Sequence, residues 1–244
     1  MALLLNCDLG ESFGSWKMGL DQEVFPHINQ ANIACGFHGG DPLVMSNTLK
    51  LAKEYGVMIG AHPAYPDLVG FGRRSMNCSG EEIRAFVLYQ ISALDGMAKS
   101  SGQIMEYVKP HGALYNDMMA KADVRLAIMQ AIKDFHGDIK LMLQATPECE
   151  LHQKEANDYG IELLFEAFAD RCYDDDGKLL SRSRPNAVHN RENMLAQVKQ
   201  LNEKGTITTV SGNVLKVHAD SLCVHGDNLE GVQAIAEIKE LIHS

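Results

Sequence analysis

Seven short apolar runs divide the chain: ALLLN (residues 2–6), QANIAC (30–35), VMIGA (57–61), MEYV (105–108), IKLML (139–143), IELLFEA (161–167) and SLCV (221–224). All but the first contain a β-branched residue, and most are followed by a longer segment of helical period. Strands alternating with helical crossovers build a parallel sheet, open or closed. Helix starts are marked by Asp41-Pro42 and Thr146-Pro147, each a cap before a first-turn proline, and by the capping boxes SGEE (79–82) and DNLE (227–230).

A chain of 244 residues with 45% apolar content buries a sizeable core, and one domain spanning 1–244 is expected. The net charge of −10 and the absence of a basic run argue against a duplex-binding or membrane-surface role. Six cysteines stand singly, without a C-x-x-C pair, which reads as reduced thiols in a cytoplasmic protein. The opening MALLLNCDLGES lacks a basic n-region and turns polar at Asn6, so it reads as a first strand rather than a signal segment. No window reaches the roughly 20 apolar residues of a membrane span.

In either parallel architecture, ligands bind beyond the carboxyl ends of the strands. The polar residues cluster there: Asp8 and Glu11 after the first run, His38 and Asp41 after the second, His62 and Asp67 after the third, Lys109 and His111 after the fourth. Asp170 and Arg171 follow the sixth and His225 and Asp227 the last, whereas the fifth ends in Gln144 with no ionisable group. One histidine after a strand is usually structural; four at strand exits that converge on one face form a candidate site. The segment Asp170 to Asn190 interrupts the alternation and reads as a hairpin or excursion over the barrel mouth, with Asp174 to Asp176 as a solvated turn.

No phosphate loop, no G-x-G-x-x-G after a strand, no G-x-S-x-G elbow and no H-E-x-x-H is present, and HQKE at His152 reads as a surface helix face. Acid/base or metal-assisted chemistry on a carbonyl remains. Asp8, His62 and His111 are residue types that hold a divalent ion with an open position. Without an ion, the same groups serve as a general base and its orienting partner, with Lys109 stabilising an oxyanion. Arg73 and Arg74 in GFGRRSM suit a carboxylate or phosphate, at least one of them being a plain surface charge. GFHGGD (36–41) is either an anion-binding helix start or a tight turn capped by Asp41.

Taken in order, LNCDLGE, NIACGFHGGDP, GAHPAYPD, FGRR, VKPHGALYN, EAFADRCY and CVHGDN strongly resemble the LamB/YcsF family, over residues 4 to about 240. The departures are Cys7 before the aspartate, Leu229 after HGDN, and Ser181, Asn186 and His189 in SRSRPNAVHN, where Arg182 is kept. The resemblance implies a seven-stranded parallel β/α barrel of the glycoside hydrolase/deacetylase-like kind. It also implies a share in the ATP-dependent opening of 5-oxoproline to L-glutamate, with ATP hydrolysed to ADP and phosphate and with B and C subunits as partners. On that footing Asp8, His62, Lys109, His111 and Asp170 are the expected catalytic residues. Glu11, His38, Asp41, Arg73, Arg171 and His225 are the expected substrate or phosphate contacts. Asp8, His62 and His111 match the metal layout of related deacetylase-like barrels. Two rival readings stand beside this one: a metal-dependent deacetylase of an N-acetylated sugar, and a non-catalytic module that delivers a ligand to partner subunits.

Overall fold

The structure, a computed structural model, describes residues 3–135, 137–181, 184–225 and 229–243. All seven apolar runs become strands of one closed barrel. In chain order these are β1 (Leu4–Leu9), β2 (Gln30–Ala34), β3 (Met58–His62), β4 (Met105–Val108), β5 (Lys140–Gln144) and β6 (Leu163–Phe168), with β9 (Ser221–Val224) closing the ring between β6 and β1. Every neighbouring pair is parallel. Several strands run further at their carboxyl ends than the apolar runs suggest, because pairing continues through polar residues: Asp8 is in register with Asn32, and His62 with Ala34. Asp8 and His62 therefore sit on the last rungs of the barrel rather than in loops.

The helices are α1 (Asp21–Val24), α2 (Pro42–Tyr55), α3 (Gly80–Ser100), α4 (Gly112–Ala120), α5 (Ala122–Asp134), α6 (Cys149–Tyr159), α7 (Arg191–Lys204) and α8 (Leu229–His243). Asp41 caps α2, accepting from the amides of Leu43 and Val44 at 2.9 and 3.1 Å, and Ser79 with Glu82 forms the capping box of α3. Thr146 is not a helix cap. Its Oγ1 accepts from Glu148 N at 3.2 Å within a turn, and α6 starts only at Cys149. His152 is not on a surface face either; it is 1% exposed, because it shares with Ala156 the one stripe of α6 that turns inward. The box at Asp227 lies outside the described residues.

One element was not expected. β7 (Thr206–Thr208) and β8 (Val214–Lys216) form an antiparallel ribbon between α7 and β9. The excursion after β6 is bridged at Arg171–Val188 and Tyr173–Leu179 and carries its own small buried cluster of Cys172, Leu180 and Ala187. Asp174 Oδ1 accepts from the amides of Asp176 and Lys178, which makes the acidic run a turn.

Leu5, Ile33, Leu114 and Ile128 are fully buried, each worth about 1.5–3 kcal/mol of transfer free energy. Within the barrel lies a polar floor. Asn6 Nδ2 donates to Ser221 Oγ at 2.8 Å, Ser221 Oγ to Gln30 Oε1 at 2.7 Å, Asn32 Nδ2 to Asn6 Oδ1 at 2.8 Å, and Tyr107 OH to Asn32 Oδ1 at 2.7 Å. Gly60 makes room for the Tyr107 ring, since a Cβ there would lie 2.2 Å from two ring carbons. Among the described residues no helix is long and apolar enough to cross a membrane.

Candidate active site

A cavity of about 720 Å³ opens at the carboxyl ends of the strands. Asp8, Glu11, His62, Lys109, His111 and His225 line it, together with Lys178 to Ser181 of the excursion. This volume falls within the range of pockets that take small organic ligands.

Lys109 follows β4 directly. Its amide donates to Ala61 O at 2.8 Å, which continues the strand pairing and turns the side chain inward. Nζ lies 2.9 Å from Glu166 Oε2, 3.3 Å from Asp8 Oδ1, 3.0 Å from Asn6 Oδ1 and 3.2 Å from Cys223 Sγ. Burial opposes the ammonium charge, but the carboxylates of Asp8 and Glu166 outweigh it and hold the Lys109 pKa well above the lysine range. Burial likewise works against the Asp8 carboxylate, yet the neighbouring His62 and Lys109 hold it well below the usual range. Asp8 and Lys109 thus form an ion pair at the bottom of the cavity. Cys223 stays a thiol, because burial pushes it well above the usual thiol range.

Beside this pair lies a group of imidazoles. The His62 and His111 rings meet edge to face with Nε2 and Nδ1 3.0 Å apart, and His38 stacks on His111 with centroids 3.7 Å apart and planes 4° from parallel. Glu11 Oε1 is 3.1 Å from His38 Nε2 and 3.5 Å from His111 Nδ1. The backbone sets the ring orientations. His62 Nδ1 faces Lys109 O at 2.6 Å and His111 Nε2 faces Phe71 O at 2.9 Å, and a carbonyl only accepts, so each of these nitrogens carries the proton. Burial, reinforced by neighbouring imidazoles, keeps His38 and His111 well below the usual imidazole range, so both are neutral. Gly72 adopts φ +63°, and a Cβ there would lie 2.8 Å from His111 Cδ2 and 3.0 Å from His38 Cβ. Donor atoms of Glu11, His38, His62 and His111 all fall within 4.8 Å of one another, a set chemically suited to a divalent metal ion.

Across the mouth, His225 Nδ1 lies 3.1 Å from Asp170 Oδ2. Arg73 lines the cavity with its guanidinium 5.1 Å over the Phe71 ring, whereas Arg74 pairs with Asp67, Nε to Oδ2 at 3.0 Å. Arg171 also lines the cavity, but its guanidinium donates to the carbonyls of Ala187 and Leu180 and so ties down the excursion. Asp41 stands apart. It is a helix cap whose other oxygen accepts from Gly14 N at 2.7 Å, and it does not line the cavity.

Glu166, Asn6, Asn32 and Tyr115 escaped the sequence reading. Glu166 had left a signal, a carboxylate in the middle of the apolar run LLFEAF, where an unpaired charge is too costly to bury. Burial and the charge of Glu166 raise the Tyr115 hydroxyl well above the usual tyrosine range.

Fold and site together define a β/α-barrel protein whose ionisable groups converge on one cavity at the carboxyl ends of its strands. The chain belongs to the LamB/YcsF family, whose profile matches residues 3–244. It is 50% identical over 242 residues to the 5-oxoprolinase A subunit of Pseudomonas fluorescens (strain Pf0-1), covering 99% of this chain and 97% of that one. It is 53% identical over 241 residues to the second 5-oxoprolinase A subunit of Pseudomonas putida, covering 98% and 93%. The crystal structure of the lactam utilization protein from Thermus thermophilus superposes with a TM-score of 0.90 at 40% identity, covering 98% of this chain and 96% of that one.

Proposed function

We propose that this chain is the A component of an ATP-dependent 5-oxoprolinase, cleaving the lactam of 5-oxoproline to L-glutamate together with B and C subunits in the cytoplasm. What carries the reading is the near-full-length likeness, at half of all positions, to chains called 5-oxoprolinase A subunits.

The chemistry follows from the substrate. An unstrained lactam is a poor electrophile. Transfer of the γ-phosphoryl group of ATP to the lactam oxygen releases ADP and leaves an activated imidate carbon. Water adds to that carbon, the ring nitrogen departs with a proton, and a second water hydrolyses the resulting acyl phosphate to the carboxylate and phosphate. Asp8, on the last rung of β1 and paired with Lys109, orients the attacking water and takes its proton. The Lys109 ammonium stabilises the negative charge that develops on oxygen. His225, held by Asp170, faces the same cavity and passes a proton to the leaving nitrogen. Arg73 takes the substrate carboxylate, the role better suited to it than to Arg171, whose guanidinium is engaged with backbone carbonyls. The chain has no phosphate loop, so ATP is held with a partner subunit.

The test is glutamate release from 5-oxoproline by the chain mixed with B and C subunits, with and without ATP. ATP-dependent release supports the reading. Acetate release from an N-acetylated sugar without nucleotide would replace it with a deacetylase.

A further inference from the structure

With His62 Nδ1 against Lys109 O and His111 Nε2 against Phe71 O, the other ring nitrogens, His62 Nε2 and His111 Nδ1, face each other at 3.0 Å. Two imidazole nitrogens at that distance can share one cation set beside them. Glu11 Oε1, 3.5 Å from His111 Nδ1, adds a third ligating atom on the same side. We propose that Glu11, His62 and His111 hold a divalent transition-metal ion, that His38 positions Glu11, and that Asp8 is not a ligand.

The separations of 3.0 and 3.5 Å suit a metal, since ligands about 2.0–2.2 Å from one ion in a tetrahedron lie about 3.3 Å apart. His38 does not complete the set. Its ring is parallel to that of His111 at 3.7 Å, so the in-plane lone pairs of the two rings run side by side instead of meeting at one point. Its Nε2, 3.1 Å from Glu11 Oε1, fixes the carboxylate instead, as the outer partners of metal ligands commonly do.

Asp8 departs from the set implied by family resemblance. Its Oδ2 lies 3.4 Å from His62 Nε2, but Oδ1 accepts from Asn32 Nδ2 at 2.8 Å and from the Lys109 ammonium at 3.3 Å. An ion set against Asp8 would face that ammonium, whereas Glu11 lies against imidazoles. When bound, such an ion supplies Lewis-acid polarisation of an oxygen or a more acidic water.

The experiment reads the ion and not turnover, so it stands or falls separately from the lactam reading. Purified chain is stripped with chelator and titrated with Co²⁺, following the visible absorption of the bound ion and the heat of binding. One equivalent is expected for the wild type. Glu11→Gln and His111→Gln are expected to weaken binding more than about 100-fold and His38→Gln about 10-fold, with Asp8→Asn within about 3-fold of wild type. Circular dichroism checks each fold, and His111→Gln reports on the same set if Glu11→Gln does not fold. A wild type that takes up no ion overturns the assignment, as does an Asp8→Asn variant that loses the ion while Glu11→Gln keeps it.

Discussion

Lys109 Nζ lies 2.9 Å from Glu166 Oε2, with 4% of the lysine side chain and none of the glutamate side chain exposed. A buried pair of this kind contributes little over an apolar replacement, but losing one partner strands the other charge. Lys109→Met, which leaves Glu166 uncompensated, should destabilise the protein by about 3–5 kcal/mol. Lys109→Met with Glu166→Gln should recover the part of that loss due to Glu166, while Asp8, the other partner of Lys109, stays without its ammonium. Urea denaturation checks both, with the transition slope unchanged.

The same double variant separates stability from catalysis. If the ammonium stabilises a developing oxyanion, the double variant should fold well and still turn over at least about 100-fold more slowly than wild type in the reconstituted complex, since preorganised donors of this kind contribute about 10²–10³. Recovery of activity along with stability would remove Lys109 from the chemistry.

Gly60→Ala should destabilise by about 1–3 kcal/mol or more, because its Cβ would lie 2.2 Å from the Tyr107 ring in a packed interior. Tyr107 supports Asn32, which in turn holds Asp8, so activity should fall more than stability alone explains. Thermal unfolding and turnover of the same variant give the comparison.

Asp21 gives a pH-dependent prediction. Burial raises its carboxyl from 3.8 to about 6, with Gly10 N donating to Oδ2 at 2.9 Å in the opposite sense. Between these values the native state holds the extra proton, so this group makes stability fall as pH rises from about 4 to about 6. Asp21→Asn keeps an acceptor for Gly10 and removes the buried charge. It should stabilise the protein by about 1–3 kcal/mol at pH 7 and by nothing below about pH 4, measured by denaturation across that range.

The barrel was legible because seven apolar runs alternating with helical segments admit few parallel architectures, and each run became a barrel strand. The ribbon at Thr206–Lys216 was not. Its strands are three residues each, too short to stand out between a helix and the run SLCV. The convergence of Asp8, His62, Lys109 and His111 was legible from their places at strand ends, whereas Glu166 was hidden inside a strand that reads as apolar. Asp41 looked like a site residue because a cap and an anion ligand use the same carboxylate, and only its bonds to Gly14, Leu43 and Val44 separate the two. His152 was misjudged because a polar helix with one narrow buried stripe gives a weak periodic signal.

The most direct test of Asp8 as the group that activates water is the initial rate of glutamate formation from 5-oxoproline and ATP by the chain reconstituted with B and C subunits, compared between wild type and Asp8→Ala. With assembly of the complex verified by size-exclusion chromatography, the expected loss is at least about 100-fold. Full activity in the assembled Asp8→Ala complex would contradict that role.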